Sequence, residues 1–144
     1  MNQTVLSPDM LRICIDANHE GILSGRVYNS TYQKEIPFED LGNMIVDMDK
    51  LFDYNGFPQS FQNRRSFQNN QAPQTYHYKP DNVVNQDWFF SQKGKLSTFT
   101  AIVLTRQHSS WQGELYNDQD ELLIRYNDVM DLLDKIEKET NKNS

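Results

Sequence analysis

The sequence predicts an α+β domain built from two tandem β-β-β-α repeats, and three observations carry that prediction. Residues 11–50 lie over residues 99–138 at a constant offset of 88, with no gap. Under it Gly25, Tyr28, Asn29, Ile36, Asp40 and Lys50 fall on the identical Gly113, Tyr116, Asn117, Ile124, Asp128 and Lys138. The apolar positions also stay in phase: Val27 on Leu115, Phe38 on Tyr126, Leu41 on Val129, Met44 on Leu132, Ile45 on Leu133 and Met48 on Ile136, as a duplicated unit would keep them. Finally, each copy passes from a period of two to a period near 3.6, so each reads as strands followed by a helix.

In the first repeat, about residues 10–52, Leu11, Ile13 and Ile15 alternate with Arg12, Cys14 and Asp16, the pattern of a strand with one buried face. Asn18 to Gly21 supplies a turn, a second strand runs near Ile22 to Asn29, and a third covers Gln33 to Phe38, broken at its end by Pro37. Glu39 and Asp40 open a helix with one apolar stripe, Leu41, Met44, Ile45, Met48, Leu51 and Phe52. The second repeat, about 96–138, gives strands over Leu96 to Gln107, Ser110 to Asp118 and Glu121 to Tyr126, then a helix capped by Asn127 or Asp128 with Val129, Leu132, Leu133 and Ile136 inward. Residues 139–144 are expected to fray. The repeats are expected to meet about a pseudo-twofold axis, their sheets merging or packing together.

Composition bounds the function. With 144 residues the chain makes one domain with one core. Fourteen basic against 20 acidic residues give a net charge of -6, which argues against a nucleic-acid polymer held on a basic surface. Cys14 is the one cysteine, so neither an intrachain disulfide nor a thiolate zinc cluster can form, and a cytoplasmic setting is expected. No stretch reaches the roughly 20 apolar residues of a membrane span and no leader pattern opens the chain. His19, His77 and His108 lack metal-ligand spacing, no phosphate loop is present, and adjacent His108, Ser109 and Ser110 cannot face one another as a nucleophile pair. A non-enzyme without cofactor or metal is the expectation.

Two surfaces invite a binding role. With the helices on the face of Leu11, Ile13, Ile15, Phe99, Ala101 and Val103, the other face of the first repeat carries Arg12, Cys14, Asp16, Arg26 and Glu35, suited to water. The second repeat instead turns out Ile102, Leu104, Arg106, Gln112, Glu114, Tyr116 and Leu123. Covering those three aliphatic side chains is worth roughly 5 to 8 kcal/mol, and the expected cover is the insert, a second subunit or a ligand. The insert, about residues 53–95, is rich in amides yet holds Phe57, Phe61, Phe67, Tyr76, Tyr78, Trp88, Phe89 and Phe90, too many aromatics to leave in water.

Two segments stand out chemically: Phe57 to Phe67, with aromatics around Gln59, Arg64 and Arg65, and Arg106 to Gly113, Arg-Gln-His-Ser-Ser-Trp-Gln-Gly. On Phe57, Pro58, Gln59, Arg65, Phe67, Arg106, Gln107, Ser110, Trp111, Gln112 and Gly113 the chain resembles a group of small uncharacterised proteins from Firmicutes. The resemblance implies the fold and the choice of site, and no mechanism. At the equivalent turn the first repeat has Asn18, Leu23 and Ser24 where the second has Arg106, Trp111 and Gln112. Arginine offers a fork of donors to phosphate or carboxylate, tryptophan a flat surface for a ring, and glutamine an amide. The expected ligand site is therefore Arg106, Gln107, Trp111 and Gln112 with Gln59, Arg64, Arg65 and Phe67. It suits a small anionic planar molecule such as a nucleotide signal, sequestered as phage-encoded sponges do. The bland alternative makes Trp111 core and pairs Arg106 with a nearby carboxylate. A second functional expectation is a protein-interaction or homo-oligomerisation module that uses the apolar second-repeat face and the insert.

Overall fold

The computed structural model describes residues 6–56, 83–107 and 110–143. The first repeat runs β1 (Met10–His19), β2 (Ile22–Asn29), β3 (Ile36–Phe38) and α1 (Leu41–Asn55); the short helix α2 (Gln86–Ser91) follows; the second repeat runs β4 (Ser97–Gln107), β5 (Ser110–Asn117), β6 (Leu122–Tyr126) and α3 (Val129–Asn143). The strands form one six-stranded antiparallel sheet in the order β3-β2-β1-β4-β5-β6, so the repeats merge rather than stack.

The duplication holds in the register, residue by residue. Leu11↔Asn29, Ile13↔Val27 and Ile15↔Gly25 of the first hairpin recur as Phe99↔Asn117, Ala101↔Leu115 and Val103↔Gly113 of the second. Both hairpins carry a bulge at the same place, between Ile15 and Ala17 and between Val103 and Thr105. Where β1 meets β4, Leu11 pairs with Ala101 and Ile13 with Phe99, while Arg12 pairs with its own equivalent, Thr100. The pseudo-twofold axis therefore passes through the Arg12–Thr100 pair.

Local chemistry explains the elements. Glu20 and Gly21, at φ 55 and 90, close the first hairpin with the positive φ values that match strand twist. Asp40 caps α1 by accepting from the Asn43 N–H at 2.7 Å, and Asp128 caps α3 by accepting from the Asp131 N–H at 2.9 Å. Both helices cover one sheet face, burying Leu41, Met44, Met48, Phe52, Leu132 and Ile136 on Leu11, Ile13, Val27, Phe99, Ala101 and Leu115. This is the face that sequence periodicity assigns to the helices.

Four expectations need correction. The helix α3 does not stop at 138: it runs to Asn143, because Thr140 is fully buried and its hydroxyl lies 2.7 Å from that of Ser97. The strand β3 starts at Ile36 rather than Gln33. Arg106 does not share the outer face with Ile102, because the bulge inserts one residue and reverses the alternation beyond it. Likewise an irregularity between Leu115 and Tyr116 lets Leu123 pack with the helix-side core.

Candidate functional site

The β4–β5 hairpin brings Arg106 and Trp111 together as a cross-strand pair on the helix side. There α1 lies over them. The Trp111 ring is 1% exposed and meets Phe52 edge-on, with centroids 5.6 Å apart. Its indole Nε1 donates to the Asp49 carboxylate at 3.1 Å, and the same oxygen accepts from Arg106 at 2.9 Å. Asp53, one helical turn on, reaches the guanidinium at 2.9 Å as well, and that guanidinium lies over the Phe52 ring. The first-repeat helix is thus riveted to the second-repeat hairpin. The symmetry-related contact is plainer: Asn18 and Asn141, equivalents of Arg106 and Asp53, share one amide hydrogen bond of 3.4 Å. Leu23 stands in the place of Trp111, and Thr140 in that of Phe52.

Of the other expected site residues, Gln112 faces away from this cluster, accepting from the Thr105 hydroxyl at 2.6 Å. Gln107 continues β4 by pairing with Ser110, and its side chain lies outside the described residues, as do Gln59, Arg64, Arg65 and Phe67. What the sequence offers as a ring-stacking surface is closed in the fold: no face of Trp111 is open, and two carboxylates take up Arg106.

The face of the first repeat that suits water in the sequence is covered instead. Residues 83–95 cross it as a strap that includes α2, with Phe89 fully buried among Leu6, Met10, Cys14 and Tyr28. Arg12, 2% exposed, donates to the carbonyls of Phe90 and Gln92 at 3.0 Å each, to the Thr100 hydroxyl at 2.8 Å and to Asp118 at 3.1 Å. Burial lowers the Arg12 pKa and Asp118 opposes that shift. Arg26 donates to the Lys93 carbonyl at 2.7 Å while paired with Asp16 at 2.9 Å, a bond that raises the guanidinium's pKa. Lys93 shares Asp118 with Arg12, at 2.9 Å. Burial pushes the Cys14 thiol up to about 11, which leaves it protonated and unreactive. The sequence makes this face look solvated because polar residues alternate along it, while the expectation that the insert's aromatics pack out of water holds at this end of the insert. The available signal was the Trp88-Phe89-Phe90 run, which needed a surface, and two arginines on adjacent strands.

A cleft of about 340 Å³ opens below the ends of β4 and β5, lined by Lys93, Ser97, Asn117, Asp118, Gln119 and Glu139. Burial disfavours the Glu139 charge, but hydrogen bonds from Lys142 and Lys135 outweigh it and hold the carboxyl below its ordinary range. Among the described residues no group of histidine, cysteine and carboxylate side chains could hold a metal ion, and no helix is long and apolar enough to cross a membrane.

Fold and hairpin together define a duplicated α+β protein whose halves have diverged at equivalent surface positions. Comparison with protein families, with curated proteins and with solved structures finds no match to this chain.

Proposed function

We propose that the chain is a non-catalytic interaction module that self-associates through the outer face of its second repeat. One observation carries this reading. Leu104 and Leu122 are 54% and 41% exposed, while the equivalent positions of the first repeat hold Asp16 and Lys34. At Leu104 the repeats share register and bulge, so the fold itself does not ask for leucine there, while Leu122 opens a β6 that is longer than β3 and pairs with Tyr116. Exposed leucines where a duplicate carries charge point to contact with another chain. Between them lie Tyr116 and Glu114, with Arg125 bonded to the Glu114 carboxylate at 3.2 Å, so the surface mixes apolar anchors with charge of both signs, as interfaces between soluble partners do. Ile102 is half-buried beside the strap and extends the same surface.

The test is to give the second repeat the residues of the first, Leu104→Asp with Leu122→Lys, and to measure molar mass by light scattering over a concentration series. Surface changes of this kind shift stability by about 0.5 kcal/mol or less, so the variant should melt like the parent. The parent is expected to form a dimer or larger species that the variant loses. A parent monomeric at every concentration would sink the proposal.

Binding of a small anionic ligand at Arg106 draws less support from the geometry, since the ligand must displace Asp53 and has no open Trp111 face to stack on. A thermal-shift screen with nucleotides addresses it directly, because ligand at about 100 times its Kd adds roughly 2.7 kcal/mol.

A further inference from the structure

We infer that the outer face of the first repeat is a docking groove for a polypeptide segment with an aromatic anchor on a short helical turn, which the strap occupies in cis. The strap itself shows the recognition chemistry. Phe89 fills an apolar seat made by Met10, Cys14 and Tyr28, Trp88 stands edge-on to Tyr28 at 5.5 Å, and the chain beyond them offers the carbonyls of Phe90, Gln92 and Lys93 to Arg12 and Arg26. Those are contacts to main-chain oxygen and to one buried ring, so a segment of different sequence but the same pattern can make them.

The second repeat serves as an internal control. Thr100 and Glu114 stand at the positions of Arg12 and Arg26, in the same register, so the sheet folds without guanidiniums there. Holding a covering segment permanently needs no buried cation either: apolar side chains of like volume do so at equal or lower cost. The manner of attachment agrees with release. Main-chain hydrogen bonds to the sheet fix the strap near its ends, Val84 to Ser30 at 2.7 Å and Leu96 to Ile15 at 2.8 Å. Between them the two arginines, the shared Asp118 and Phe89 hold it. A segment tied by side chains, over a groove that binds backbone, can exchange with a second segment of the same chemistry.

Cys14 reports on the state of the groove. It is the one cysteine of the chain, fully buried beneath the strap, so its labelling by a thiol reagent measures opening. The experiment compares the parent with Phe89→Ala and adds a dye-labelled peptide of residues 83–95, with a scrambled peptide as control. Phe89→Ala is expected to raise the labelling rate roughly tenfold or more by vacating the anchor seat, to bind the peptide, and to regain Cys14 protection as it does so; adding Arg26→Ala should remove that binding. Phe89→Leu, which empties the anchor seat only in part, carries the same readouts should Phe89→Ala lose cooperative unfolding. Labelling as slow as in the parent overturns the proposal because the strap then does not open. Faster labelling without peptide binding, or equal binding of the scrambled peptide, overturns it because the face then holds no recognition groove.

Discussion

Arg12 and Thr100 are the same position of two repeats, and they bond to each other: the guanidinium of one donates to the hydroxyl of the other at 2.8 Å across the pseudo-twofold axis. A symmetric pair of arginines there would set two cations together, and a symmetric pair of threonines would leave the strap carbonyls without donors. Divergence at this point lets one residue serve the sheet and the strap at once.

Removing Arg12 should therefore cost more than its bond to Thr100. Arg12→Ala leaves the Phe90 and Gln92 carbonyls without their donor and is expected to destabilise by about 3 kcal/mol or more. Thr100→Val should cost about 1 kcal/mol. In urea unfolding the double variant should lose less than the sum, since the two share a bond; strict additivity would show that the hydroxyl contact contributes nothing.

Gly25 and Gly113 make the same close approach in their repeats. A Cβ on Gly25 would lie 2.0 Å from the Cys14 carbonyl oxygen, and one on Gly113 1.9 Å from that of Ile102. Both alanine variants should lose roughly 3 kcal/mol. Gly42→Ala, whose Cβ meets only the Asp40 side chain at 3.4 Å, should instead stabilise by up to about 1 kcal/mol. Should Gly25→Ala prove neutral, the shared hairpin geometry is wrong.

Trp111 is a core residue by position. In a Trp88→Phe background its fluorescence should be blue-shifted and hardly quenched by iodide, and Trp111→Ala should cost about 4 kcal/mol. Strong iodide quenching would mean that the ring is open to solvent and available to a ligand.

Two aspartates should respond to pH in opposite senses. Burial raises the Asp9 pKa, with the Ser7 hydroxyl bond opposing, so its contribution is present below the ordinary value and lost as pH rises through the raised one. Asp9→Asn should stabilise at neutral pH, and that advantage should vanish in acid. For Asp16 burial works to raise the pKa, but hydrogen bonds from Arg26 and the Lys95 N–H outweigh it and lower it. Its contribution is present above the ordinary value and lost as pH falls through the lowered one, so Asp16→Asn should destabilise at neutral pH and converge with the parent in acid. Melting curves from pH 3 to 8 would check both; equal slopes for parent and Asp9→Asn would refute the first.

Much of the fold was legible in the chain, and the surroundings of Arg106 and Trp111 were legible only as one of two readings. Strand alternation from Leu11 to Ile15, the helical stripe from Leu41 to Phe52 and the aspartate caps depend on neighbours a few residues apart, so period and composition reveal them. A bulge depends on how two strands pair. One extra residue after Val103 turns Arg106 from the outer face to the helix side, where Asp49 and Asp53 pair with it. The polar run Arg12, Cys14, Asp16 was misread for a related reason: its cover comes from residues some 80 positions away.

By itself the sequence determined that the protein is a duplication, because identities and apolar phase repeat at one offset whatever the chain's course in space. It also determined the order of strands and helices within each copy, since those follow from local periodicity and capping. Only the tertiary structure decided that the copies join edge to edge through β1 and β4, that the strap lies on the first repeat and leaves Leu104 and Leu122 of the second exposed, and that Trp111 and Arg106 face inward. Each of these depends on contacts between residues far apart in the chain, where burial and hydrogen-bond satisfaction rather than local preference select the arrangement.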